Sequence, residues 1–288
     1  MRYVWQTETL KESRMRHKIT DWDDAYANGI NIPQGDRWPD AWAEPAKTYR
    51  ERMAETGQAK LNLSYGDKPR NRFDLFVPAG DPIGLVVFVH GGFWIRLDNS
   101  YFSHLAHGAV ETGYAVAVPT YTLAPENRIS GITQEIGKAI EAAAEIVSGP
   151  IRLAGHSAGG HLVTRMVSAS SPLPEDIRKR IVNVVSISGV HDLRPIINTQ
   201  MNETQRIDIE EAYLESPALL EPLFRTRVTC WVGASERSEF LRQNALLANI
   251  WKGLGAETDC VEEPDRHHFN ILDGFADPHH PLTEALLS

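Results

Sequence analysis

The sequence predicts a doubly wound α/β fold built on a mostly parallel sheet of about eight strands. Two observations carry this. The runs LVVFVH (85–90) and YAVAVP (114–119) are almost continuously apolar, and IRLAG (151–155), VNVVSIS (182–188), VTCWV (228–232) and TDCV (258–261) continue the series. Such runs belong to parallel strands buried on both faces. Stretches of helical texture lie between them, over 103–112, 132–147, 158–169 and 238–254, and regular alternation of strand with helix is the signature of a parallel sheet wrapped by its crossovers.

Taken in order, the chain opens with a tryptophan- and charge-rich stretch, 1–58, that lacks strand alternation. Trp22, Trp38 and Trp42 sit there among Pro33, Pro39 and Pro45. Within it, 46–57 reads as a helix stopped by Gly57. The texture changes at Leu61: LNLSYG and RFDLFV flank the turn-rich Asp67-Lys68-Pro69-Arg70-Asn71, which predicts an antiparallel hairpin. The expected organisation is an N-terminal extension (1–58) packed over a single catalytic domain (59–288).

Composition bounds the partners. With 288 residues and 42% hydrophobic content the chain can bury a sizeable core. A formal net charge of −9 opposes binding to nucleic acid or to an anionic membrane surface. No window approaches the roughly 20 apolar residues of a membrane span. The first residues contain no apolar core ahead of a cleavage site, so the reading is a cytoplasmic protein without a signal peptide. Cys230 and Cys260, both in strand-like runs, are expected to be buried free thiols, and neither has metal-ligand spacing. No metal or organic cofactor is expected, and the partner is a small-molecule substrate. The acidic N-terminal segment is expected to cap the site or to form the contact of a homodimer.

The chemistry concentrates in three places. Gly155-His156-Ser157-Ala158-Gly159 sits where a strand meets a helix. Glycines two positions either side let the backbone turn sharply and push Ser157 out of the sheet as a nucleophile, with the free N–H groups of a helix N-terminus beneath it. The bland alternative is an ordinary strand-to-helix turn with a capping serine. His90-Gly91-Gly92-Phe93-Trp94 follows the strand LVVFV. Backbone N–H groups of Gly91 or Gly92, with that of Ala158, can hold the oxygen of a tetrahedral intermediate, and one such donor is typically worth about 10²–10³ in rate. Phe93 and Trp94 are expected to line an aromatic substrate pocket or else to pack into the core, while His90 braces the loop. The third place is the C-terminal part of the chain, where this order of elements puts an acid and then a histidine after the serine. Asp265-Arg266-His267-His268-Phe269 follows the last strand, and His268 is favoured over His267 as the base because Phe269 would anchor the loop. Glu236 is the first carboxylate after VTCWVG and is read as the acid; Glu239, Asp192 and Asp265 are the other candidates.

On HGGFW, Tyr121-Thr122-Leu123-Ala124-Pro125-Glu126 and GHSAGG the chain resembles the hormone-sensitive-lipase branch of the α/β-hydrolases. On HGGFW, GHSAGGHL, SGVHDLRP, VGASERSEFLRQ and the lead-in DWDDAYANGINIP it is similar, more closely, to arylformamidases, also called kynurenine formamidases. The resemblance spans most of the chain. It implies an α/β-hydrolase fold, Ser157 as nucleophile, His268 as base and Glu236 as acid, where the family usually has aspartate. It also implies hydrolysis of N-formyl-L-kynurenine. The competing expectations are a carboxylesterase for short acyl esters and, from another class, a ligand binder that keeps the fold without catalysis.

Overall fold

In a computed structural model that describes residues 19–223 and 225–288, the apolar runs form one eight-stranded sheet. Its strands are β1 (Ala59–Ser64), β2 (Arg72–Phe76), β3 (Leu85–Val89), β4 (Ala115–Pro119), β5 (Ile151–His156), β6 (Ile181–Ile187), β7 (Arg227–Gly233) and β8 (Thr258–Glu263). Their order across the sheet is β1-β2-β4-β3-β5-β6-β7-β8. The hairpin strands β1 and β2 are antiparallel to each other, and β2 is antiparallel to β4; every later pairing is parallel. Residues 1–18 of the expected extension lie outside the described residues.

The core has two layers because successive side chains of a strand point to opposite faces. Leu85, Val87 and Val89 pack on one side with Ile132, Ile136 and Ile140 of the helix Ile129–Ile146. Val86 and Phe88 pack on the other with Phe102, Phe275 and Trp42. Strand order reverses between β3 and β5: the chain leaves β3 for β4 on one side and returns to β5 on the other. In open α/β sheets such a reversal opens a crevice at the carboxyl ends of the strands. The loop after β3 and the turn after β5 both end there.

Two expectations are corrected. The helix assigned to 46–57 starts earlier, at Trp38, and runs to Glu55 with Pro39 in its first turn and Pro45 inside it. Pro39 costs nothing where N–H groups have no helical acceptor. Pro45 leaves the carbonyl of Ala41 without its helical donor, but both residues lie on the exposed side, where water can take that role. Cys230 is buried and Cys260 is not, because β8 is the sheet edge and Cys260 is on its open face; both thiols are free. No helix among the described residues is long and apolar enough to cross a membrane.

Several histidines are sealed in the core. Burial lowers the pKa of His90 to about 4 and those of His161 and His191 to about 3. An unfolded histidine titrates near 6.5. Between that value and the folded pKa the unfolded chain holds more protons, so stability is fully present above pH 6.5 and is lost as pH falls toward 4 and then 3. Denaturant titrations from pH 7 to pH 4 are expected to record this loss. His191→Asn should flatten the slope by up to about 1.4 kcal/mol per pH unit, the contribution of one histidine.

Candidate active site

The turn after β5 is strained as a nucleophile elbow requires. Ser157 has φ 55° and ψ −115°, a conformation that L-residues avoid. Its N–H donates to the carbonyl of Ile187 at 2.8 Å, tying the turn to β6. The flanking glycines are obligatory for space. A Cβ at Gly155 would lie 2.2 Å from the carbonyl oxygen of Gly159, and one at Gly159 would lie 1.9 Å from that of Val89. The helix Ala158–Arg165 begins at once, so its first N–H groups, led by Ala158, have no helical acceptor and point to the elbow end.

The loop after β3 is packed directly against this turn. A Cβ at Gly91 would meet the carbonyl of His156 at 2.9 Å and the Cβ of Ser157 at 3.0 Å. Gly92 has φ 108°, and Phe93 and Trp94 follow with φ 52° and 61°. That left-handed run sends the two aromatic side chains apart. Phe93 lines the cavity described below; Trp94 does not, and is instead sealed in the core with its ring edge-on to His161 at 5.2 Å. The pocket role expected of Trp94 is therefore corrected. His90 stacks on Tyr121 at 4.4 Å and donates from Nδ1 to the Gly91 carbonyl at 2.7 Å, so it braces the loop.

The histidine and the acid meet at the ends of β7 and β8. His268 Nδ1 lies 2.6 Å from Glu236 Oε2, both side chains being buried. The other oxygen of Glu236 accepts from Ser188 Oγ at 2.5 Å and from the Gly233 N–H at 2.9 Å. The His268 ring is wedged beside Phe240, with centroids 4.4 Å apart, and its backbone carbonyl accepts from His156 Nε2 at 2.8 Å. Burial and the nearby His268 ring drive the pKa of His156 well below the usual value, so it remains a neutral strut. Three of the other candidates are occupied elsewhere, and the fourth, Asp265, is exposed and lines no part of the cavity described below. His267 packs edge-on to Trp38. Glu239 binds Tyr26 Oη and Arg242, and Asp192 binds Arg194. No hydrogen bond links Ser157 Oγ to His268 among the described residues, but both line one cavity; such contacts often close only around substrate.

That cavity has a volume of about 620 Å³. Ser157, His156 and His268 form its floor, with Gly92 and Phe93 beside them, and its roof comes from the N-terminal stretch through Asn28, Ile30, Ile32, Pro39 and Trp42. Of Trp22, Trp38 and Trp42, only Trp42 reaches it; Trp38 packs behind, on Phe269 and His267. Sequence reasoning missed Ser188, whose φ of 52° turns its hydroxyl onto Glu236, and the roof residues Asn28, Ile30 and Ile32. A nucleophile-type turn, two glycines against it and a histidine that lines the same cavity while paired to a buried carboxylate can carry out acyl transfer to water without a metal.

Such a fold with such an elbow is that of a hydrolase, and residues 86–271 match the model of the alpha/beta hydrolase fold family, so the chain belongs to that family. Its relatives narrow the comparison. It is 26% identical over 250 residues to the kynurenine formamidase of Danio rerio, covering 84% of this chain and 85% of that one. For the kynurenine formamidase of Salmo salar the identity is 27%, with 82% and 84% covered. Among solved structures, a protein of Silicibacter sp. named for a suspected thioesterase activity superposes with a TM-score of 0.88 at 47% identity, over 92% of this chain and 98% of that one. An esterase from Pyrobaculum calidifontis shares the fold, with a TM-score of 0.65 at 17% identity over 84% of this chain and 92% of its own.

Proposed function

We propose that this hydrolase is an arylformamidase acting on N-formyl-L-kynurenine through a triad of Ser157, His268 and Glu236. The observation that carries the reading is the buried His268–Glu236 pair, at 2.6 Å, whose histidine lines the same cavity as Ser157. Ser157 Oγ attacks the formyl carbon while His268 Nε2 takes its proton. Glu236 holds the ring in the tautomer that leaves Nε2 free to accept and stabilises the imidazolium that forms. The N–H groups of Ala158 and of Gly91 or Gly92 take up the oxyanion. The tetrahedral intermediate collapses by breaking the C–N bond, and His268 returns the proton to the departing arylamine. A water deprotonated by His268 then attacks the formyl ester, releasing formate and restoring Ser157.

A formyl group has no chain beyond its carbonyl, so the cavity volume serves the aromatic leaving group, between Phe93, Trp42 and Phe269. In this reading 1–58 is an extension lying over a catalytic domain of 59–288, and its described part is the lid of that leaving-group pocket. Support for the substrate comes from the kynurenine formamidases matched over more than four-fifths of the chain.

The competing reading is a carboxylesterase, favoured by a cavity large enough for an acyl chain. Steady-state rates on formylkynurenine, formanilide, a p-nitrophenyl ester series and a thioester separate the two. The expected result is a higher kcat/KM for the formamides than for any ester. Formanilide turnover no faster than ester turnover would overturn the assignment.

A further inference from the structure

The cavity walls are mainly apolar, and one cation stands out among them. Arg96 lines the cavity, yet its side chain makes neither a hydrogen bond nor an ion pair with any described residue. Contact with the walls lowers its pKa, but a guanidinium remains charged in a protein. Arg96 is exposed, so its unused fork of donors can meet a ligand that enters the cavity; a planar anion matches that fork, and a carboxylate fits it bidentately.

The backbone that carries this arginine is fixed relative to the reacting end. The Arg96 N–H donates to the Gly92 carbonyl at 3.2 Å. Gly92 leaves room for the arginine stem, because a Cβ there would meet Arg96 Cγ at 3.2 Å and its carbonyl oxygen at 2.3 Å. Arg70 clamps the following turn, bonding the Leu97 carbonyl at 2.5 Å and the Tyr121 carbonyl at 2.7 Å. The loop that carries Gly91 and Gly92 therefore also sets the backbone from which Arg96 lines the cavity.

We propose that Arg96 is a specificity-determining residue that binds a carboxylate on the leaving-group half of the substrate. The inference rests on the formamidase reading, in which the acyl half is a formyl group too small to bring an anion of its own. Asp36, the one carboxylate lining the cavity among the described residues, makes no bond to Arg96 and sits on the roof turn Gly35–Arg37. An acidic group on the lining disfavours a bare anion and favours a ligand that carries an ammonium as well as a carboxylate, so an amino-acid side arm suits the cavity better than a simple acid.

The test uses the full chain and compares N-formylkynurenine, N-formylanthranilate and formanilide on wild type, Arg96→Ala, Arg96→Gln and Arg96→Lys. The readout is the ratio of kcat/KM for each carboxylate-bearing substrate to that for formanilide. Loss of a charged hydrogen-bonding partner is expected to lower this ratio about tenfold to a hundredfold in Arg96→Ala and Arg96→Gln, mostly through KM. Arg96→Lys recovers part of it. Asp36→Asn should narrow the preference for formylkynurenine over formylanthranilate. A ratio within twofold of wild type in both neutral variants overturns the proposal. Should wild type cleave esters but no formamide, the formamidase reading fails on its own, and the same ratio taken with 4-acetoxybenzoate and phenyl acetate decides the role of Arg96.

Discussion

Ser157→Ala is expected to lower kcat by about 10⁵–10⁶, the scale of losing the nucleophile from a serine triad. The expectation is sharp because no other described residue lining the cavity carries a hydroxyl or a thiol, so no substitute nucleophile stands within reach. Alanine keeps the Cβ and the same backbone demand at φ 55°, so the elbow, the bond from the Ser157 N–H to Ile187 and the cavity all persist. The melting temperature should accordingly move little while activity disappears. A fluorophosphonate probe should label the wild-type chain and not the variant, and residual turnover above about 1% of wild type would point to a different nucleophile. A non-catalytic binder, in contrast, predicts no labelling in either protein.

The two kinds of information in the sequence differ in reach. Strands β3 to β7 are buried on both faces, so each is a continuous apolar run that can be read without knowing its neighbours. Ser157 is legible for a similar reason: its local turn needs glycines at fixed offsets, and the clashes that a Cβ would cause at Gly155 and Gly159 are the physical content of that spacing. The order of elements then points to the loops after β7 and β8, which is how Glu236 and His268 come into view. The roof of the cavity has no such signature. It is built from short turns at Gly29–Asn31 and Gly35–Arg37 and from a helix that begins before two prolines, and none of these carries a period. Trp94 was ambiguous between pocket and core because the φ values that separate it from Phe93 are not written in residue type. Ser188 and Arg96 matter only through partners or cavities that tertiary packing creates.

The second large effect is expected at Glu236. Its carboxylate serves three donors: Oε1 takes the Ser188 hydroxyl and the Gly233 N–H, and Oε2 takes His268 Nδ1. Glu236→Gln keeps the shape but offers only one acceptor oxygen. Facing the two donors on the Ser188 side, that oxygen leaves the amide NH₂ toward His268, which forces the ring to accept at Nδ1 and to carry its proton on Nε2. A ring in that tautomer cannot take the proton of Ser157, and the expected loss in kcat is about 10⁴, with KM little changed. Glu236→Asp asks a different question, since aspartate is the usual residue of the resembled family. It keeps the charge but shortens the reach from a backbone pinned by the bond between the Glu236 N–H and the Gly233 carbonyl. A 2.6 Å contact cannot be kept across a lost methylene without moving the loop, so a fall of about 10–10² is expected, because misplacement by about 1 Å costs on that order. Steady-state kinetics on formanilide for both variants, beside their thermal melts, make the distinction. Glu236→Gln within tenfold of wild type would mean that another group orients His268, and the acid would have to be sought elsewhere.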